Sequence, residues 1–245
     1  QNLHSALNRS FFGLCIALCA FTFGLGMCFY VPVAAAFFWR VIAVSGCVMF
    51  YSLLLQFILY LTNNGHVLKK GKRHPLFFAP ALILIAVFCF TGGIIPSWMP
   101  RTYPGQAGLP GPAVWRIAFI LYYVVFSLTG MAVLRRWKKQ DPNSDKCRQA
   151  NLALTSVALL LLLEIAGDIV ISFRPASVFL MLEPIKFLFP FFMLFFLLKR
   201  HRLITPFDNG QSQLIISERT NRMLYHSLGA FAIIFGIANL TALLA

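Results

Sequence analysis

Glu164 and Asp168 lie inside "LLEIAGDIVI" (162–171), and Glu183 and Lys186 inside "MLEPIKFLF" (181–189), both otherwise apolar stretches. The whole chain has only seven acids, so placing three of them here needs a reason. Residues four apart share one face of a helix, so Glu164 and Asp168 point the same way. A charged side chain at the centre of a membrane helix costs roughly 2.5–3.5 kcal/mol on insertion scales. Groups retained at that cost can bind a charged ligand, exchange protons with a coupled substrate, or lock two helices together as ion pairs.

Those stretches sit in a chain of 245 residues that is 59% hydrophobic and only 11% charged, with a net charge of +14. Soluble domains of this size carry about 25% charged residues. The apolar residues fall in runs near the length of about 20 that a helix needs to cross the hydrocarbon core. The fold class we expect is therefore all-α: a polytopic transmembrane helix bundle. Seven segments are expected, at roughly 11–31, 37–61, 76–95, 114–134, 150–172, 178–198 and 225–245.

The bases cluster in alternate gaps, which speaks for topology rather than for nucleic acid. One side holds Arg9, Lys69, Lys70, Lys72, Arg73, Arg135, Arg136, Lys138, Lys139, Lys146, Arg148, Lys199, Arg200, Arg202, Arg219 and Arg222. The other holds only Arg40, Arg101, Arg116 and Arg174. By the positive-inside rule residue 1 starts on the cytoplasmic side, in what we expect to be the bacterial inner membrane. Trp39, Trp98 and Trp115 then belong to the outer interface and Trp137 to the inner one. Short outer gaps make antiparallel hairpins of segments one and two and of segments five and six. The gap 96–113, rich in Pro and Gly, is expected to be an irregular cap. Small residues at Ala232 and Gly236 are a weak sign of close helix packing.

With this orientation Glu164 and Lys186 each lie nine residues from the outer turn, about 14 Å deep. Asp168 and Glu183 lie five and six residues in, at about 8–9 Å. Glu164 can then face Lys186, with Asp168 near Glu183 one layer higher and Arg40, Arg116 and Arg174 as the cations near that rim. The candidate ligand site is Arg40, Arg116, Glu164, Asp168, Glu183 and Lys186. Pro184 and Pro190 mark a weak point in segment six, since proline removes a backbone donor. No phosphate loop, metal-ligand spacing or nucleophile elbow occurs, so we expect no catalytic residue, metal or cofactor.

"LNRSFFGLCIALCAFTFGLG" followed by "FFWRVIAVSGCVMFYSLLLQFILYLT", with "CRQANLALTSVALLLLLEIAGDIV" and then "PFFMLFFLLKRHRLITP", resembles the N-terminal seven-helix sensor region of bacterial histidine kinases, also found fused to diguanylate cyclases. In that family an Asn-Arg pair precedes the second helix, an aromatic-Trp-Arg cluster opens the third, and a basic "R-x-L" ending leaves the seventh. Here these are Asn8-Arg9, Trp39-Arg40 and Arg202-Leu203. The resemblance implies a sensor bundle over 1–206, a further helix before Gln1, and a cytoplasmic output domain elsewhere in the polypeptide. Residues 207–224 are then a cytoplasmic basic linker, and 225–245 an additional span that the family pattern does not include.

Three functions are in contention. The first is a receptor for a small or lipid-like ligand, which enters from the outer side and shifts segments five and six. The second is a secondary transporter with a proton- or ion-coupled site at Glu164, Asp168 and Lys186; the absence of a visible repeat argues against it. The third is a scaffold held by packing alone. Expected partners are membrane lipid, the ligand, the output domain and, where the output requires it, a second copy of the chain; nucleic acid is not among them.

Overall fold

A computed structural model describes residues 6–31, 33–64, 73–91, 113–140 and 144–173. They form five helices: α1 (Ala6–Tyr30), α2 (Val33–Leu61), α3 (Arg73–Thr91), α4 (Ala113–Gln140) and α5 (Ser144–Phe173). No strand occurs among the described residues. These helices coincide with the first five expected segments. The expected spans at 178–198 and 225–245, and the cap up to residue 112, lie outside the described residues.

Four helices carry apolar stretches long enough to cross a membrane: Arg9–Met27, Phe37–Leu61, Ile117–Lys139 and Cys147–Gly167. The run in α3 is shorter, Phe77–Phe90, with Pro80 inside the helix. Large apolar side chains also cover the outside of the bundle, including Phe12, Ile16, Phe38, Leu82, Ile83, Phe90, Leu121 and Leu162. A soluble monomer avoids such a surface, whereas hydrocarbon accepts it.

α2 is the central helix. It packs against α1, α3 and α4, and α5 packs against α4. In its apolar stretch 67% of residues are buried, against 28% in that of α4.

α1 and α2 form the expected antiparallel hairpin, drawn together at two glycines. A Cβ at Gly46 would lie 2.5 Å from the Ala17 carbonyl oxygen and from the Phe21 amide nitrogen. A Cβ at Gly24 would lie 2.7 Å from the Ala43 nitrogen and 2.8 Å from the Trp39 carbonyl oxygen. The two backbones are therefore in direct contact, as small residues allow between membrane helices. Phe11–Phe57 and Phe23–Trp39 ring pairs close the two ends of the seam.

α2 ends in a Schellman motif. Asn63 has a positive φ of 58°, the Asn64 amide donates to the Leu59 carbonyl at 2.8 Å, and the Asn63 amide donates to Tyr60 at 3.2 Å. Asparagine tolerates the left-handed conformation better than other side-chain-bearing residues, so "TNN" stops the helix where the apolar run stops.

α3 runs antiparallel to α2, since Phe37 near the start of α2 stacks on Phe88 near the end of α3. α4 runs in the same direction as α2: Tyr122 meets Ser52, and eight residues later Gly130 faces Ile58. Ser52 lies nine residues before the end of α2, but Tyr122 lies 18 before the end of α4. α4 thus extends nine residues, or about 13 Å, beyond α2. That extension bears Arg135, Arg136, Lys138 and Lys139, all exposed, and α5 returns with Arg148, also exposed. With exposed Arg9 at the start of α1, this is the basic end of the bundle.

Candidate functional site

Buried polar side chains gather where α2, α4 and α5 meet. Two adjacent pairs carry the junction: Tyr51-Ser52 on α2 and Tyr122-Tyr123 on α4. Neighbouring residues on a helix are about 100° apart, so each pair presents one group to each of two sides. The Tyr122 hydroxyl donates to the Val48 carbonyl at 2.8 Å. Its single proton being committed there, the 2.8 Å contact with Ser52 has the serine as donor. Tyr51 and Tyr123 stack at 5.6 Å with an interplanar angle of 29°. Phe126 lies 4.5 Å from Tyr122 and 5.8 Å from Phe77, joining α3 to the cluster.

Glu164 enters from α5. It lies on the stripe Ala150, Ala153, Val157, Leu160 and Leu161 that faces the bundle, and only 7% of it is exposed. Tyr51, itself 1% exposed, lies within electrostatic reach of the Glu164 carboxylate. Around α4 the antiparallel hairpin brings Glu164, 20 residues beyond Ser144, level with Tyr122, 18 residues before Gln140. A carboxylate, a phenol and a ring stack thus share one layer. Such a layer can hold a cationic or hydrogen-bonding ligand, or carry a proton between the acid and the phenol.

The six expected site residues fare differently. Glu164 is buried, on the face of α5 that meets the bundle. Asp168 lies one turn further along α5 and Arg116 in the first turn of α4; their side chains lie outside the description. Glu183 and Lys186, with the expected Glu164–Lys186 pairing, also lie outside the described residues. Arg40 is half-buried on α2, with its Nε shielded. It precedes Tyr51 by 11 residues, three turns, and so sits on the same face about 16 Å towards the end opposite the bases. The structure therefore brings Glu164 to Tyr51 and sets Arg40 in a separate layer.

Sequence reasoning passed over Tyr51, Ser52, Tyr122 and Tyr123. A signal was there: tyrosine in membrane helices prefers the interfaces, and "YS" and "YY" stand in the middle of two apolar runs. A phenol at that depth needs an internal partner.

A family model described as the N-terminal 7TM region of histidine kinase matches residues 1–206. The chain belongs to that family. The match spans all five described helices and the Glu164 layer within them. Membership makes this a membrane-embedded sensory input region, and that region of a histidine kinase is itself non-catalytic. No curated protein and no solved structure matches the chain.

Proposed function

We propose that the bundle binds a small or lipid-like ligand in a polar pocket centred on Glu164 and passes a helix rearrangement to an output domain. The observation that carries this reading is the buried carboxylate of Glu164 set against the Tyr51 phenol, in a family whose role is sensory. Arg116, Asp168, Glu183 and Lys186 are the further contacts we assign to this pocket. Arg40, in its own layer about 16 Å away, is reached only by a ligand long enough to span both. The side away from the basic end faces the outside of a bacterial inner membrane, with residue 1 in the cytoplasm. Residues 207–224 form a cytoplasmic linker, and 225–245 an additional span.

A ligand shifts the equilibrium between two packings only by binding one of them better. Glu164 is placed to do this, because a group added beside it exchanges the Tyr51 contact for a ligand contact and frees α5 to move against α2. Glu164→Gln keeps the size and removes the charge. In native membranes the output of the intact protein should change by roughly tenfold, the scale of one charged hydrogen bond. Membrane yield and helicity should stay as in the parent. Tyr51→Phe should shift the output in the same direction by less. Unchanged output in both variants would remove the pocket, and loss of yield alone would leave a scaffold role. Substrate flux into sealed vesicles would favour transport.

A further inference from the structure

The outward face of α4 is one continuous strip. Ile117, Leu121, Val125 and Leu128 are each about half exposed, at 55, 57, 54 and 49%. Exposed Ala132, Arg135, Arg136 and Lys139 continue the same face. The spacings of three and four residues keep the strip on one side of the helix. From Val125 to Arg135 is ten residues, about 15 Å, or half of a hydrocarbon core about 30 Å thick. The part of the strip from Val125 onward thus has one leaflet's depth and ends in guanidinium groups.

Arg136 stands four residues before the end of α4 and Arg148 four residues after the start of α5, so the antiparallel hairpin sets them level. Exposed Asn151 follows three residues deeper on α5 and offers an amide at the depth of ester groups. Trp137 is half-buried and packs against the core, anchoring the belt at an interface. Between 135 and 148 the chain has Arg135, Arg136, Lys138, Lys139, Lys146 and Arg148 against Asp141 and Asp145, a net charge of +4.

We propose that this end of the α4–α5 hairpin is a binding site for an anionic phospholipid, with its phosphate on Arg135, Arg136 and Arg148 and one acyl chain along Val125, Leu128 and Ala132. A zwitterionic lipid is disfavoured because its own ammonium meets the same bases. Guanidinium groups pair with phosphate through parallel donors, which a lone ammonium cannot do. The site lies at the opposite end of the bundle from Arg40 and is independent of the Glu164 reading.

The test uses the whole chain in vesicles, with Trp39, Trp98 and Trp115 replaced by Phe so that only Trp137 fluoresces. Brominated phosphatidylglycerol and brominated phosphatidylcholine are compared as quenchers at equal mole fraction. The expected result is a preference of about fivefold or more for the anionic lipid, the scale of one base acting near a surface. In Arg135→Gln/Arg136→Gln/Arg148→Gln the preference should fall to one, with quenching by phosphatidylcholine unchanged as the control for insertion. A parent with no preference, or a triple variant that keeps it, overturns the proposal. Competition by millimolar inorganic phosphate also overturns it, because the site would then take a free anion rather than a lipid. If the tryptophan replacements reduce yield, lipid retained on detergent extraction of the parent from mixed vesicles is assayed instead. Enrichment of the anionic class supports the site, and equal retention refutes it.

Discussion

The seams that α2 makes with α1 and with α4 are built differently. In the first, Gly24 and Gly46 let two backbones touch. In the second, the Tyr122 hydroxyl of α4 donates to the Val48 carbonyl and accepts from Ser52, both on α2. Lipid tails are as apolar as leucine, so burial alone does not hold membrane helices together; close packing and hydrogen bonds do. The seam of α2 with α1 uses the first means. Its seam with α4 uses the second, and hydrogen bonds can be exchanged for a ligand's, whereas backbone contacts cannot. α2 thus belongs to a fixed pair with α1 and to an adaptable pair with α4.

Breaking the fixed pair should have the largest effect. Gly46→Ala puts a methyl 2.5 Å from two backbone atoms that no rotamer change can move. A loss of about 1–3 kcal/mol is expected, the usual scale of overpacking, read as a lower midpoint in thermal or denaturant unfolding in detergent. Tyr122→Phe comes next. It removes both hydrogen bonds to α2, and interhelical hydrogen bonds in membranes average about 0.6 kcal/mol, so a drop of about 1 kcal/mol or less should appear in the same assay. Gly130→Ala is the smallest. Its new methyl meets only the tip of Ile58, at 2.8 Å, and that of Leu55, at 3.8 Å. Side-chain tips can turn aside, and alanine favours helix over glycine by up to about 1 kcal/mol. The variant should be as stable as the parent or slightly more so. If Gly130→Ala costs as much as Gly46→Ala, α2 meets α4 as tightly as it meets α1, and the contrast fails.

The number and placing of the first five helices were legible because hydropathy reports burial in lipid directly, residue by residue. The stop at Leu61 was legible for the same reason: it depends on one helix alone. Ala232 and Gly236, where small residues suggest close packing, lie outside the described residues, and the close contacts at Gly24 and Gly46 carried no separate signal. Glycine at one position says that something comes close, not which element it is. The tyrosine cluster was illegible for a stronger reason. Ser52 and Tyr122 are 70 residues apart, and their meeting depends on the axial offset of α2 against α4.

By itself the sequence determined that this chain is a set of apolar helices with bases at one end and rare acids within, because the membrane selects composition span by span. Only the tertiary structure decided that Glu164 meets the Tyr51 phenol, that Arg40 stands three turns away, and that the exposed face of α4 runs unbroken into its arginines. Those facts depend on helix rotation and relative depth, which side-chain packing sets and no single span contains.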